Sequence, residues 1–292
     1  MLGLRMLSGV PLFFALIGLL GVDVYFRCGW ALAGVLALFA MFGVREFCRF
    51  AAAQRKEPFR RWAIVFVGVL FFATEYALSA PARVSVEIAV FIVFMLGVFL
   101  WQLRRGARQV LDSVGATILA VGYFWFFLAF ILRLRHLQIP GAPLDWAYQG
   151  VELVFVFFVA VKICDIAGLL VGKRFGYRKI SPVVSPHKSW EGFFGGMAAS
   201  VATLALVMVL HPQSALAHCG YLKILPLGVL FSVFGLFGDL CESLFKREAQ
   251  LKDAGGALPG YGGAMDMLDS LTFTAPICYY YFIYVCGAVP AH

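Results

Sequence analysis

Nine apolar segments of spanning or near-spanning length divide this chain, and they leave it few folds to choose from. They run roughly over Met6 to Val22, Cys28 to Val44, Trp62 to Leu78, Ile88 to Leu103, Val114 to Leu132, Trp146 to Val171, Gly192 to Leu210, Ile224 to Leu240 and Leu271 to Val289. In hydrocarbon a backbone N–H or C=O finds no solvent partner, so each segment is expected to satisfy itself as a helix. The predicted fold class is therefore all-α: a polytopic integral membrane protein of about nine transmembrane helices, one membrane domain over residues 1–292. With 62% hydrophobic and only 14% charged residues, an ordinary soluble protein is excluded. The apolar run after Arg5 has no small-residue cleavage site at Gly21-Val22-Asp23, so it reads as a retained helix rather than a signal peptide.

Lysine and arginine set the expected orientation. With the N-terminus in the cytoplasm, eighteen of them fall in cytoplasmic segments (Arg5, Arg45 to Arg61, Arg104 to Arg108, Lys173 to Lys188, Lys246 to Lys252) and five on the other side. The five are Arg27, Arg83, Arg133, Arg135 and Lys223. The net charge of +8 is explained by this bias, and no nucleic-acid partner is called for. Trp30, Trp62, Trp101, Trp146 and Trp190 fall at predicted helix ends, as an interfacial belt requires. The C-terminus is expected outside, and the short loops fit a bacterial inner membrane. The seven cysteines show no CxxC pair and read as small apolar residues.

Several ionisable groups interrupt the apolar runs. Glu75 and Glu87 lie near outer helix ends and are expected at the interface. Glu152, Lys162 and Asp165 share one predicted span, where charges are costly unless paired or facing a wet cavity. Lys162 and Asp165 are three residues apart, on one helix face, and either neutralise each other or line a cavity; for Asp165 the cavity is favoured. In the loop after Asp165, Ser185 or Ser189 is placed to cap the next helix, while Lys188 and the free amides there offer an anion site facing the cytoplasm.

The densest polar stretch, Gly238 to Ser270, gathers six of the sixteen acidic residues: Asp239, Glu242, Glu248, Asp253, Asp266 and Asp269. Asp239 is expected at the cytoplasmic end of a helix, where the dipole adds to its carboxylate. Asp266 and Asp269 are three apart at the start of the last helix and project to one face. Pro259-Gly260-Tyr261-Gly262-Gly263 reads as a tight turn able to bring the two helix ends together. Converging carboxylates suit a hard divalent cation, and Mg²⁺ uses one or two of them with phosphates and waters. Lys246, Arg247 and Lys252 would add cations for a polyphosphate.

These residues resemble a known signature. Gly238-Asp239-Leu240 with Glu242-Ser243, then Lys246-Arg247, Lys252-Asp253, Gly255 and Leu258-Pro259-Gly260-Tyr261-Gly262-Gly263 leading to Asp266 and Asp269, look like the phosphatidate cytidylyltransferases, or CDP-diacylglycerol synthases. Ser185-Pro186-His187-Lys188-Ser189-Trp190-Glu191-Gly192 resembles that family's S-P-K-K-T-W-E-G. The match covers roughly Asp165 to Ser270, a catalytic region, while residues 1–150 match in hydropathy only and read as scaffold. Tyr261 stands where the family usually has His, Ala264 where it has a larger aliphatic, and Met267 where it has Arg.

The resemblance implies transfer of a cytidylyl group from CTP to phosphatidate, drawn from the cytoplasmic leaflet, giving CDP-diacylglycerol and pyrophosphate with Mg²⁺; a second cation is left open. By the same resemblance Asp239 and Asp266 are metal ligands, with Asp269 a ligand or support for one. Lys188, Lys246, Arg247 and Lys252 hold phosphates, and Asp253 orients Lys252 or a metal-bound water. Asp165, Ser185, Ser189, Gly262 and Gly263 lie against substrate. A homodimer is allowed for. Alternatives are a CTP-dependent lipid kinase, a catalytically silent relative and, less favoured, a transporter.

Overall fold

The computed structural model describes residues 18–79, 86–250 and 263–291. After helical turns at 18–25, its helices are α1 (Trp30–Ala53), α2 (Arg60–Ser79), α3 (Val86–Arg105), α4 (Val110–Val121) and α5 (Phe127–Arg135). A π-helical segment, Gly122–Phe126, joins α4 to α5. Then come β1 (Leu137–Gln138), α6 (Trp146–Phe175), β2 (Lys179–Ser181), β3 (Ser185–Ser189), α7 (Trp190–Leu210), α8 (Ala215–Cys219), α9 (Tyr221–Glu248), α10 (Ala264–Tyr284) and β4 (Val289–Pro290). The architecture is all-α and polytopic, as expected, with two-stranded antiparallel pairs β1–β4 and β2–β3 as its only strands among the described residues.

Seven helical stretches among the described residues are long and apolar enough to cross a membrane: α1, α2, α3, α4 through α5, α6, α7 and α9. Of the nine expected spans, the first lies largely outside the described residues. The ninth corresponds to α10, a 21-residue helix that is not among the seven. Trp30, Trp146 and Trp190 each open a helix, so the tryptophan pattern marks real helix ends.

The described residues form two compact units. One comprises residues up to Leu132 with Phe245–Leu268, the other Arg133–Leu244 with Asp269–Ala291.

In the first unit, α1 buries Ala33, Ala37, Ala40 and Val44, and α2 buries Ala63, Val67, Leu70 and Phe71. Small residues on the α1 face let the helix backbones approach, the usual solution where lipid removes the hydrophobic drive between helices. Glu75, expected near an outer helix end, has a structural role there. Glu75 is fully buried and accepts hydrogen bonds from the Gly29 amide at 2.7 Å and the Ser79 hydroxyl at 3.0 Å. Gly29 is the N-cap residue of α1, so the carboxylate satisfies an amide that the helix itself cannot. Asp23 does the same for Ala31 and Leu32, at 2.9 and 3.0 Å. Glu87 accepts from the Thr74 hydroxyl at 2.9 Å.

In the second unit, α6 and α7 cross on glycines. A Cβ at Gly192 would stand 2.6 Å from the Gly168 carbonyl oxygen, so the two backbones are in contact there. The loop between these helices folds into the β2–β3 hairpin, with Lys179 opposite Ser189 and Ser181 opposite Ser185. Glu191 fastens its base, accepting from the amides of Tyr177 (3.1 Å) and Arg178 (3.2 Å). Helix α9 does not end beside Asp239, as the sequence reading had it. It continues to Glu248, so Asp239 sits within the helix rather than at its dipolar end. The extension is favoured because Lys246 and Arg247 then occupy the last turn, where cations meet the exposed carbonyls.

Candidate active site

The two units each carry a set of paired ionisable groups. In the second unit the set is built by one close approach. A Cβ at Gly238 would lie 2.1 Å from the Asp269 carbonyl oxygen, so only glycine lets α9 lie this close to α10. That contact sets Asp239, the next residue of α9, beside Asp269 of α10. Lys188, at the end of the β3 strand, reaches across to donate to Asp239 Oδ2.

One helix further, Lys162 Nζ donates to Asp165 Oδ2 at 3.2 Å and to Ser270 Oγ at 2.9 Å. The Ser270 hydroxyl in turn donates to Asp165 Oδ2 at 2.8 Å, while the Ser270 amide donates to Asp269 Oδ1 at 2.6 Å. Lys162 is therefore half of an intramembrane ion pair, and Ser270 links that pair to the carboxylates of α9 and α10. Glu242, buried one turn after Asp239, adds further negative charge near Asp269.

In the first unit Asp266 lies in the first turn of α10. Lys246 donates to Asp266 Oδ1, and the Gly263 amide donates to Asp266 Oδ2 at 2.6 Å. Glu46 of α1 is buried and accepts from the Met265 amide at 2.9 Å. These two carboxylates satisfy amides at the helix start, where negative charge is favoured.

The placement of the remaining predicted residues is mixed. Ser189 is the N-cap of α7, accepting from the Gly192 amide at 3.2 Å, whereas Ser185 begins β3 and caps nothing. Arg247 is exposed on the last turn of α9. Lys252, Asp253 and Gly262 lie outside the described residues, as do Pro259 to Tyr261. Ser270, Glu242 and Glu46 were not assigned roles from the sequence. Glu46 could have been found: it falls on the buried stripe Gly43, Glu46, Phe47, Phe50 of α1, where a carboxylate needs a partner.

Among the described residues, no three His, Cys, Asp or Glu side chains form a ready metal cage. Mg²⁺ does not need one, since it keeps several waters and takes one or two carboxylates together with substrate phosphates. Asp239 and Asp269 fit that demand. Both are hard oxygen donors, and like charges set side by side favour a cation between them. Asp266, one turn earlier on the same helix, is a donor of the same kind.

The profile of a family described as the cytidylyltransferase family matches residues 6–285. The chain belongs to the cytidylyltransferase family. It is 29% identical over 98% of its length to a phosphatidate cytidylyltransferase of Haemophilus influenzae, all of which is covered. It is 34% identical to the phosphatidate cytidylyltransferase of Bacillus subtilis, over 74% of this chain and 76% of that one. An uncharacterised Escherichia coli protein, YnbB, is 29% identical over 88% of this chain and 80% of its own. Family membership thus extends well before Asp165, through residues for which the sequence reading had hydropathy alone.

Proposed function

We propose that this membrane protein transfers a cytidylyl group from CTP to phosphatidate, forming CDP-diacylglycerol and pyrophosphate for phospholipid synthesis. A phosphate oxygen of phosphatidate attacks the α-phosphorus of CTP, and the bond to the pyrophosphate oxygen breaks. The nucleophile is already an anion, so no general base is required. The difficulty is bringing together two partners that repel each other, and it is met by positioning and by fixed positive charge.

The observation that carries this reading is the Lys188–Asp239 ion pair, set beside Asp269 by the close approach at Gly238 in a largely apolar chain. Asp239 and Asp269, with Asp266, are the residues that would hold Mg²⁺, which would supply charge neutralisation at the phosphates. Lys188 and Lys246 are now spent on Asp239 and Asp266. We read these pairs as the resting arrangement, from which each lysine turns to a substrate phosphate. Arg247, Lys252 and Asp253 would extend the polyphosphate site, and Gly262 and Gly263 would offer backbone to it. Asp165 and Ser270 hold Lys162 in place behind the carboxylates. The orientation read from charge puts this chemistry on the cytoplasmic side of a bacterial inner membrane, with phosphatidate entering from the cytoplasmic leaflet; a homodimer is compatible with it.

The test is pyrophosphate release by purified protein in detergent with CTP, phosphatidate and Mg²⁺, each omitted in turn. Release is expected only with all three present. Release of CDP in place of pyrophosphate would make the protein a lipid kinase, and no turnover by folded protein would make it a silent relative. Full Mg²⁺-dependent turnover by Asp239→Asn would remove the metal assignment.

A further inference from the structure

We propose that the first unit holds a phospholipid whose headgroup ends in a primary ammonium, seated in a groove between α1, α4 and the end of α9. The groove has a volume of about 350 Å³, and every residue that lines it belongs to the first unit. None of those residues is placed at the phosphates or the metal of the cytidylyl transfer.

The groove has a polar end and an apolar end. Three helix ends meet at the polar one: Gln54 is the C-cap of α1, Asp112 lies in the first turn of α4, and Glu248 is the last residue of α9. Each of these helices belongs to a stretch long and apolar enough to span, so their ends mark a membrane surface. From there the groove follows one face of α4 through Leu111, Gly115 and Leu119, roughly 12 Å at about 1.5 Å of rise per residue. Phe47 and Phe245, in edge-to-face contact at 5.1 Å, line its apolar part. Small residues keep it empty of protein: a Cβ at Gly115 would meet nothing within 4 Å. Leu111 and Leu119 are 88% and 50% exposed, so the apolar part lies open toward hydrocarbon. A slot charged at the membrane surface and apolar below it fits a lipid, head at the rim and chain along the helix.

The charges at the rim select the head. They are two carboxylates, Asp112 and Glu248, and one cation, Lys56, which already bonds Glu248 at 3.0 Å. Among the described residues Asp112 has no hydrogen bond or ion pair. The lining groups therefore sum to a negative charge, which disfavours a phosphate monoester such as phosphatidate. A terminal –NH₃⁺ would give both carboxylates a donor, and the Lys56 ammonium, with three N–H groups, has donors left for the phosphodiester. A trimethylammonium head would bring the charge without an N–H. The groove also contains Phe245, directly before the Lys246 that pairs with Asp266, so a lipid seated there would brace the turn of α9 that presents Lys246.

The experiment reads binding and not turnover. Purified full-length protein is placed in phosphatidylcholine vesicles with a trace of phosphatidylethanolamine bearing a diazirine on one acyl chain, irradiated, and digested for mass spectrometry. Crosslinks are expected in residues 47–51 and 111–119. Unlabelled phosphatidylethanolamine should compete them away where the same amount of phosphatidate does not. Asp112→Asn should weaken that competition about fivefold, the scale of one charge pair at a wet rim. Gly115→Leu, whose side chain has open space to enter, should fill the groove and abolish the crosslinks without lowering the melting temperature. Crosslinks that persist in folded Gly115→Leu, or that unlabelled phosphatidylethanolamine does not compete, would show lipid contact without a site. Equal competition by phosphatidate, or no effect of Asp112→Asn, would overturn the ammonium assignment. Either result leaves the cytidylyltransferase reading untouched.

Discussion

The two units solve the same problem, a carboxylate in an apolar chain, in opposite ways. In the first unit four acids serve helix starts: Asp23 and Glu75 on α1, Glu46 and Asp266 on α10. Each carboxylate has a local structural duty that would exist without any substrate. In the second unit Asp165, Asp239 and Asp269 sit within helices rather than at their starts, and they lean on Lys162, on Lys188 and on Ser270. A network of that kind costs desolvation and is no efficient way to stabilise a fold. The difference supports the proposal that the second unit's cluster is held for chemistry. Asp266, which caps its own helix but also pairs with Lys246, is the residue on which the distinction turns.

The largest effects should therefore come from the acids. Asp239→Asn is expected to lower pyrophosphate release on the order of a hundredfold or more, the usual scale for losing one electrostatic group at a reacting phosphate or carbonyl. Asp266→Asn sharpens the comparison. A comparable fall in kcat with an unchanged melting temperature would make Asp266 part of the chemistry, whereas a lower melting temperature with turnover kept would confine it to capping. Next in size is Gly238→Ala. The new Cβ, 2.1 Å from the Asp269 carbonyl oxygen, has backbone rather than a flexible side chain to displace. A cost of about 1–3 kcal/mol is expected from such overpacking, with turnover falling as Asp239 and Asp269 part. Thermal unfolding in detergent and pyrophosphate release read the two effects separately. An unchanged melting temperature would show that the close approach is not required.

These contrasts also explain what could be read from the sequence. The helices were legible because lipid permits little else, and the six acids of Gly238 to Ser270 stood out against apolar surroundings. Pairing was harder. Lys162 and Asp165, three apart, were readable as a pair, although the spacing did not choose between pairing and a cavity and the cavity was favoured for Asp165. Lys188 and Asp239 are far apart in sequence, and nothing local says which cation meets which acid. The end of α9 was misplaced because hydropathy falls at Asp239 while helical hydrogen bonding does not; Glu242 is buried in the continuing turn. The partner of Glu75 was hidden for a related reason. A charge near a helix end looks interfacial, yet the N-terminal amides of α1 provide a buried partner that hydropathy cannot register.

Smaller effects probe the first unit. Glu46→Ala removes the acceptor of the buried Met265 amide, and about 1–3 kcal/mol is expected for leaving that donor unsatisfied. Glu46→Gln keeps an acceptor and should recover most of the loss in thermal unfolding; failure to recover would mean that the charge, not the hydrogen bond, matters there. Smallest of all is the ion pair between Lys56 and Glu248, at 3.0 Å and with 56% of the Glu248 side chain exposed. An exposed pair gains little in water and costs side-chain freedom, so Lys56→Ala should change stability by no more than about 1 kcal/mol, and less in high salt. If its effect instead matched that of Glu46→Ala and persisted at high salt, the first unit would also be relying on charge pairs, and the contrast with the Asp165, Asp239 and Asp269 cluster would lose its force.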